Sequence, residues 1–243
     1  MAERCFEISK NVFVNVNDTH RFGTDAVLLA DFAAPKSRDI ACDMGTGCGI
    51  IPFVWCAKPT PTKIIGLEIQ PDACELARKS IAMSGLDDRV SIVCGDLRQI
   101  SRELSAGSFT LVTMNPPYKQ IGGGIISDSD GEKLTRHETT CTLDDAVVAA
   151  SRLLNFGGRF CMCHRPERLT DIIFSMRSNG LEPKRIRFVV QRADRAPWLV
   201  LVEGKKGAKS GLIVMPQLVM EDENGNSTKE IDEIYADYRE MRK

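Results

Sequence analysis

The sequence predicts an α/β fold in which parallel strands alternate with helices. Three observations predict it. Short apolar runs of strand length recur at residues 39–44, 63–68, 89–94 and 109–114. Helix candidates lie between them. Each run ends in glycines, a carboxylate or a rigid turn, which are the features found where open α/β sheets hold their ligands.

Residues 39–44 run into Gly45-Thr46-Gly47-Cys48-Gly49, and a helical apolar stretch covers 50–57. Strand, glycine-rich turn and helix form the opening unit of a nucleotide-binding sheet. Glycines let the backbone turn tightly and approach a ligand, while the helix start offers free N–H groups and positive dipole. The spacing is Gly-x-Gly-x-Gly after Asp43, and no Lys-Ser/Thr follows, which argues against a P-loop. The strand at 63–68 ends in Glu68, about twenty residues past the glycines, where an acid can accept both ribose hydroxyls of an adenosine. The strand at 89–94 is followed by Gly95-Asp96-Leu97, and Asp96 can accept from an adenine amino group. Either acid alone is more simply a helix cap or a solvated loop residue. The succession of strand ends is what carries the pattern.

The strand at 109–114 ends in Asn115-Pro116-Pro117-Tyr118. An amino group conjugated to a ring or carbonyl is flat and must pyramidalise before it attacks an electrophile. Two acceptors aimed at its hydrogens favour that shape: the Asn115 side-chain oxygen and the Pro116 carbonyl. The Pro116-Pro117 pair fixes the carbonyl direction and offers no competing N–H. Tyr118 adds a flat face for a planar substrate. By itself the quartet is equally a stiff turn.

Residues 142–154 are helical, and Gly157-Gly158 precedes a fifth strand at 159–163. Pro166 opens a helix over 167–178 that stops at Asn179-Gly180. Residues 184–191 and 198–202 are β-rich and flank a short turn, as in an antiparallel hairpin. Residues 211–223 are strand-like, and Ser227-x-x-Glu230 is a capping box for a last helix over 230 to about 241.

The strand ends, in this order, resemble the class I S-adenosylmethionine-dependent methyltransferases, in the branch that methylates exocyclic or amide nitrogen. The resemblance implies a Rossmann-like seven-stranded sheet with helices on both faces and an antiparallel closing hairpin. It implies S-adenosyl-L-methionine as cofactor and S-adenosyl-L-homocysteine as product. Asp43, Gly45, Gly47 and Gly49 then surround the methionine part, and Glu68 takes the ribose. Asp96 and Leu97 take the adenine, with Ile69 and Leu97 as apolar covers. Asn115, Pro116, Pro117 and Tyr118 form the target-amine clamp. Residues 1–38 become an extension that closes the cofactor pocket through Thr24 and Asp25, where a helix cap is the alternative. Residues 39–203 form the core, and 204–243 an appendix of the same domain.

The flanks narrow the resemblance. Phe13-Val14-Asn15-Val16, Arg21-Phe22-Gly23-Thr24-Asp25, Thr135-Arg136-His137-Glu138, the Val202-to-Gly207 segment and Asn226-Ser227-Thr228-Lys229-Glu230 resemble the bacterial tRNA adenine N6-methyltransferases acting beside the anticodon of valine tRNA. That likeness implies RNA, most simply tRNA, as partner, with Tyr118, Arg136, His137, Lys184, Arg185, Arg187 and Lys205 on the substrate side. Lys119-Gln120 departs from the pattern, because better-known members carry an aromatic there. The substrate-side loop can therefore serve a different RNA. Residues 119–135, with three successive glycines, form either a mobile lid or a segment ordered only by RNA.

Composition sets limits. The net charge of −1 gives no global attraction to nucleic acid, yet residues 184–209 hold eight basic residues against two acids. Such a run is a solvated face or a set of phosphate contacts. The core leaves no room for a separate duplex-reading domain. No apolar run approaches the ~20 residues of a membrane span, and the N-terminus lacks a signal-peptide core. Nine cysteines without Cys-x-x-Cys read as free thiols of a cytoplasmic protein, expected to be a monomer. Three histidines lack metal-ligand spacing, and Cys161-Met162-Cys163-His164 reads as a central strand, not a metal site. Two rival functions fit the same core: methylation of a glutamine amide in a release factor, and a cofactor-binding RNA module without turnover. Intact Asn115 and its prolines weigh against the second.

Overall fold

A computed structural model describes residues 2–57, 61–99, 104–116 and 141–236. The chain opens with an antiparallel ribbon of β1 (Arg4–Ser9) and β2 (Val12–Val16), turning through Asn11 at φ 62°. Helix α1 (Thr24–Ala33) follows, then β3 (Ile40–Met44), α2 (Ile50–Cys56), β4 (Lys63–Glu68), α3 (Pro71–Ser84), β5 (Val90–Cys94) and β6 (Phe109–Met114). Among the described residues there follow α4 (Leu143–Leu153), β7 (Leu154–His164), α5 (Leu169–Ser178), β8 (Leu181–Val190) and β9 (Leu199–Lys206). Two short strands, β10 (Ile213–Val214) and β11 (Leu218–Val219), and helix α6 (Lys229–Ile234) complete it.

The main sheet runs β10-β8-β9-β7-β6-β3-β4-β5, with β11 also on β8. Strands β5, β4, β3, β6 and β7 are parallel, while β9 lies antiparallel between β7 and β8. Those seven strands are the expected sheet with its closing hairpin. The sheet is wider than expected by β10 and β11, which pair in parallel with the outer edge of β8. Pro216 lies between them and interrupts the ladder, since it has no N–H to donate.

Burial on both faces explains why the central strands read as continuous apolar runs. In β7, Phe160 and Met162 pack with α4 and α5, while Cys161 and Cys163 face the layer of α1 and α2. All seven residues of α2 are buried, and the Trp55 indole N–H donates to the Ala30 carbonyl at 3.0 Å. The ribbon is fastened to α3 by hydroxyls: the Asn15 N–H donates to Ser80 Oγ at 2.8 Å, and the Phe13 N–H to Ser84 Oγ at 2.9 Å.

Several sequence expectations shift. Strand β7 starts at Leu154, directly after α4, and β8 and β9 are longer than anticipated. The helix expected from residue 167 is a 3-10 turn, Pro166–Arg168, followed by α5. The last helix is capped by Thr228, not Ser227. Its hydroxyl accepts from the Ile231 N–H and donates to the Val219 carbonyl, so the cap also ties α6 to β11. All nine cysteines are free, and Cys94 is exposed at the end of edge strand β5. No helix among the described residues is long and apolar enough to cross a membrane.

Candidate active site

Register places the predicted residues along one edge of the sheet. Met44 pairs with Leu67 on one side and Met114 on the other, and Glu68 pairs with Cys94. Gly45, Glu68, Gly95 and Asn115 therefore stand at neighbouring C-terminal strand ends, the position of ligands in sheets of this type.

The glycine turn is pinned to its neighbour strand. The Gly45 and Thr46 N–H groups both donate to the Leu67 carbonyl, at 2.8 and 3.1 Å. Gly47 has φ 57°, and a β-carbon there would meet no atom within 4 Å, so this turn opens on free space. Gly49, at φ 87°, is close-packed instead: a β-carbon would lie 2.7 Å from the Phe53 ring. One glycine thus exposes the backbone and another seats the turn on α2.

Glu68 joins the turn to β4. Its side chain is buried, and its two oxygens accept from the Gly47 N–H at 2.8 Å and the Gln70 N–H at 2.9 Å. Each carboxylate oxygen has a second acceptor site, so the geometry suits a pair of ligand hydroxyls. Asp43 is also buried and accepts from the Thr113 hydroxyl at 2.7 Å. Burial pushes its carboxyl up to about 7, against the opposing pull of the Thr113 hydrogen bond. At Asp96 the Arg98 guanidinium, with its Nε 3.0 Å from both oxygens, holds the carboxyl below its usual range. The Ile69 side chain is exposed beside Glu68, and Leu97 packs at the margin of the core. A turn open at Gly47, a fixed carboxylate and an exposed apolar side chain fit an adenosine-type cofactor.

Asn115 and Pro116 are half-buried at the end of β6. The Asn115 Oδ1 accepts from the Cys163 thiol at 3.1 Å, a contact that sequence reasoning missed. Pro117, Tyr118, Arg136, His137 and the expected 119–135 lid lie outside the described residues. Thr24 and Asp25 are the first two residues of α1, whose N-cap is Gly23, and Asp25 Oδ1 accepts from the Ala26 N–H at 2.9 Å. They do not cap α1.

The basic stretch is divided. Arg185 donates to Glu203 at 2.7 Å and to the Phe32 carbonyl at 3.1 Å, and stacks 4.7 Å over the Phe32 ring. Arg159 reaches the same Glu203 at 3.2 Å and the Ala33 carbonyl at 2.8 Å. Two guanidiniums thus close the C-terminus of α1, where cations complement the helix dipole. Burial raises the Glu203 pKa, but the Arg185 and Arg159 contacts outweigh it, and the carboxyl stays below its ordinary range. Arg187 pairs with Glu230 at 2.7 Å and donates to the Pro216 carbonyl at 3.0 Å. Lys206 caps the end of α4 through the Ser151 and Leu154 carbonyls, and Lys184 donates to the Lys209 carbonyl. Of the four proposed substrate-side cations here, Lys205 is the exposed one. The antiparallel register, which pairs Arg185 with Glu203, is the signal that would have found the clasp.

Comparison with known proteins agrees with the fold. Residues 8–129, half of the chain, match the family model described as "Methyltransferase small domain". The chain belongs to that methyltransferase family. A relative in Porphyromonas gingivalis, named tRNA1(Val) (adenine(37)-N6)-methyltransferase, is 31% identical over 75% of this chain and 73% of its own length. One of the same name in Bacteroides fragilis is 27% identical over 75% of this chain and 76% of its own. Among solved structures, a "predicted O-methyltransferase" from Agrobacterium tumefaciens aligns with a TM-score of 0.72 at 22% identity. It covers 88% of this chain and 96% of its own, a likeness of fold. The family and the fold are those the strand ends implied.

Proposed function

We propose that this methyltransferase transfers a methyl group from S-adenosyl-L-methionine to the N6 amino group of an adenine in tRNA, beside the anticodon. The observation that carries the reading is the placement of Asn115 on the same sheet edge as the Glu68–Gly47 hydrogen bond. One strand end suits the donor and the next but one suits an amine. The names of the relatives support tRNA as the substrate class.

On this reading Glu68 holds the ribose, Asp43 with Gly45, Gly47 and Gly49 surrounds the methionine part, and Asp96, Ile69 and Leu97 receive the adenine. The N-terminal ribbon, docked on α3, and the start of α1 with Thr24 and Asp25 close the pocket. The cofactor supplies a methyl group already activated on a sulfonium. The protein orients the amine and offers fixed dipoles: Asn115 Oδ1 and the Pro116 carbonyl accept hydrogen bonds from the two amino hydrogens as nitrogen pyramidalises. The N–C bond forms as the methyl–sulfur bond breaks, and the methylated nitrogen then sheds its surplus proton to water. Tyr118 stacks the swung-out base. Arg136, His137 and Lys205 are assigned to the RNA side.

Incubation with isotopically labelled S-adenosylmethionine and separate pools of tRNA, DNA and release factor tests the assignment. Label is expected in tRNA. Label in the release factor alone would replace it with glutamine methylation.

A further inference from the structure

The amide of Asn115 has two ends of nearly equal size and opposite chemistry. Packing does not choose between them, yet only the oxygen can accept a hydrogen from a target amine. Something beside the amide must fix which end faces the substrate. Resting on the proposed function, we propose that Cys163 is a positioning residue whose thiol proton holds Asn115 Oδ1 in the orientation the amine clamp requires.

The placement is built into the sheet. Met162 of β7 pairs with Met114 of β6, so Cys163 and Asn115 are the next residues of adjacent parallel strands. Cys163 is fully buried in a central strand, which holds its sulfur on a rigid element, and its Sγ lies 3.1 Å from Asn115 Oδ1. A thiol is a weak donor, and a carbonyl oxygen has two lone pairs. A weak donor on one lone pair biases the orientation, and an amide oxygen is able to accept a second hydrogen. Cys161, two residues earlier on the same face, sits 3.8 Å from Glu203 instead. That neighbouring thiol serves the α1 clasp, so the two cysteines of one strand have different partners.

Three variants separate positioning from packing. Cys163→Val keeps an apolar side chain of suitable size and removes the donor, Cys163→Ala removes both, and Cys163→Ser keeps a donor in a more polar group. Positioning predicts single-turnover methylation of tRNA lowered about 5- to 20-fold in Cys163→Val and Cys163→Ala, the scale of one lost hydrogen bond. Cofactor affinity is expected to be unchanged, with Cys163→Ser within about threefold of wild type. Packing predicts the reverse order, with valine the best tolerated. Wild-type turnover in Cys163→Val, or a serine variant as slow as valine, would overturn the proposal.

Two controls separate this idea from the clamp itself. Asn115→Ala at wild-type rate would remove the clamp, whereas a slow Asn115→Ala beside a fast Cys163→Val removes the role of Cys163 alone. In the double variant Cys163→Val should add no further loss to Asn115→Ala, and an additive loss contradicts action through Asn115. A readout independent of RNA is the Asn115 side-chain NH2 signal in asparagine-labelled protein. It should sharpen with serine at 163 and broaden with valine, and an identical signal in both variants counts against the proposal.

Discussion

The β3–β4 end of the sheet and the β8–β9 hairpin use charge in opposite ways. At β3 and β4, carboxylates sit at strand ends and are held by backbone N–H groups and a hydroxyl, so Glu68 stays fixed beside an open turn. In the hairpin, charges are turned inward. Glu203 is shared by Arg159 and Arg185, and Arg187 is tied to Glu230. The first arrangement leaves acceptor capacity for a ligand, and the second spends it on holding α1 and α6 in place. A run of basic residues is therefore not by itself a nucleic-acid surface. Cross-strand register decides which cations remain outward.

The largest effect is expected where the inward network is broken. Removing Glu203 takes a shared counter-ion from two half-buried guanidiniums, leaving Arg159 with Asp39 and Arg185 with carbonyl contacts. Glu203→Ala should therefore lose about 3 kcal/mol of stability in denaturant unfolding, the lower end for a broken buried pair. Because the folded Glu203 pKa lies below its ordinary 4.5, its contribution is fully present above that pH and is lost as pH falls through the folded value. The wild type should therefore lose stability below about pH 4.5 more steeply than Glu203→Ala. A variant as stable as wild type would reduce the clasp to an incidental contact.

At the ligand-facing end the penalty should appear in binding instead. Glu68→Ala should weaken S-adenosylmethionine about 10- to 100-fold by calorimetry, the loss of charge-assisted hydrogen bonds. Unchanged affinity would place the cofactor elsewhere. Asp43 adds a pH dependence. Burial pushes its carboxyl up to about 7, and on the proposed placement a cationic methionine group would favour the ionised form. Cofactor affinity should rise as pH increases towards 7 and then level off, and Asp43→Asn should flatten that rise.

The smallest effect concerns RNA. Reversing the exposed Lys205 should reduce the slope of log affinity against log salt by about one without destabilising the fold. The same change at Arg185 should act mainly on stability. If Arg185→Glu folds normally and flattens the salt slope as Lys205→Glu does, the inward and outward division is wrong.

What was legible in the sequence was local. Gly45, Gly47, Gly49 and Asn115 follow a strand within a few residues and Glu68 ends one, so pattern alone placed them at strand ends. The ribbon on Ser80 and Ser84, the Glu203 clasp and the Cys163 thiol at Asn115 join residues from distant segments. Their partners depend on register and helix docking, which no short window contains. Strands β10 and β11 were blurred by Pro216, and Ser227 looked like the cap because Thr228 offers the same chemistry one residue later.

The central claim is that one sheet edge carries both the methyl donor and an amine clamp at Asn115. Its most direct measurement is single-turnover methylation of saturating tRNA by wild type and Asn115→Ala, with the product nucleoside identified by mass spectrometry. The account predicts N6-methyladenosine from wild type and a rate roughly 10²–10³ lower in the variant, with cofactor affinity intact. Methylation by Asn115→Ala at the wild-type rate, or a methyl group on any other atom, would contradict it.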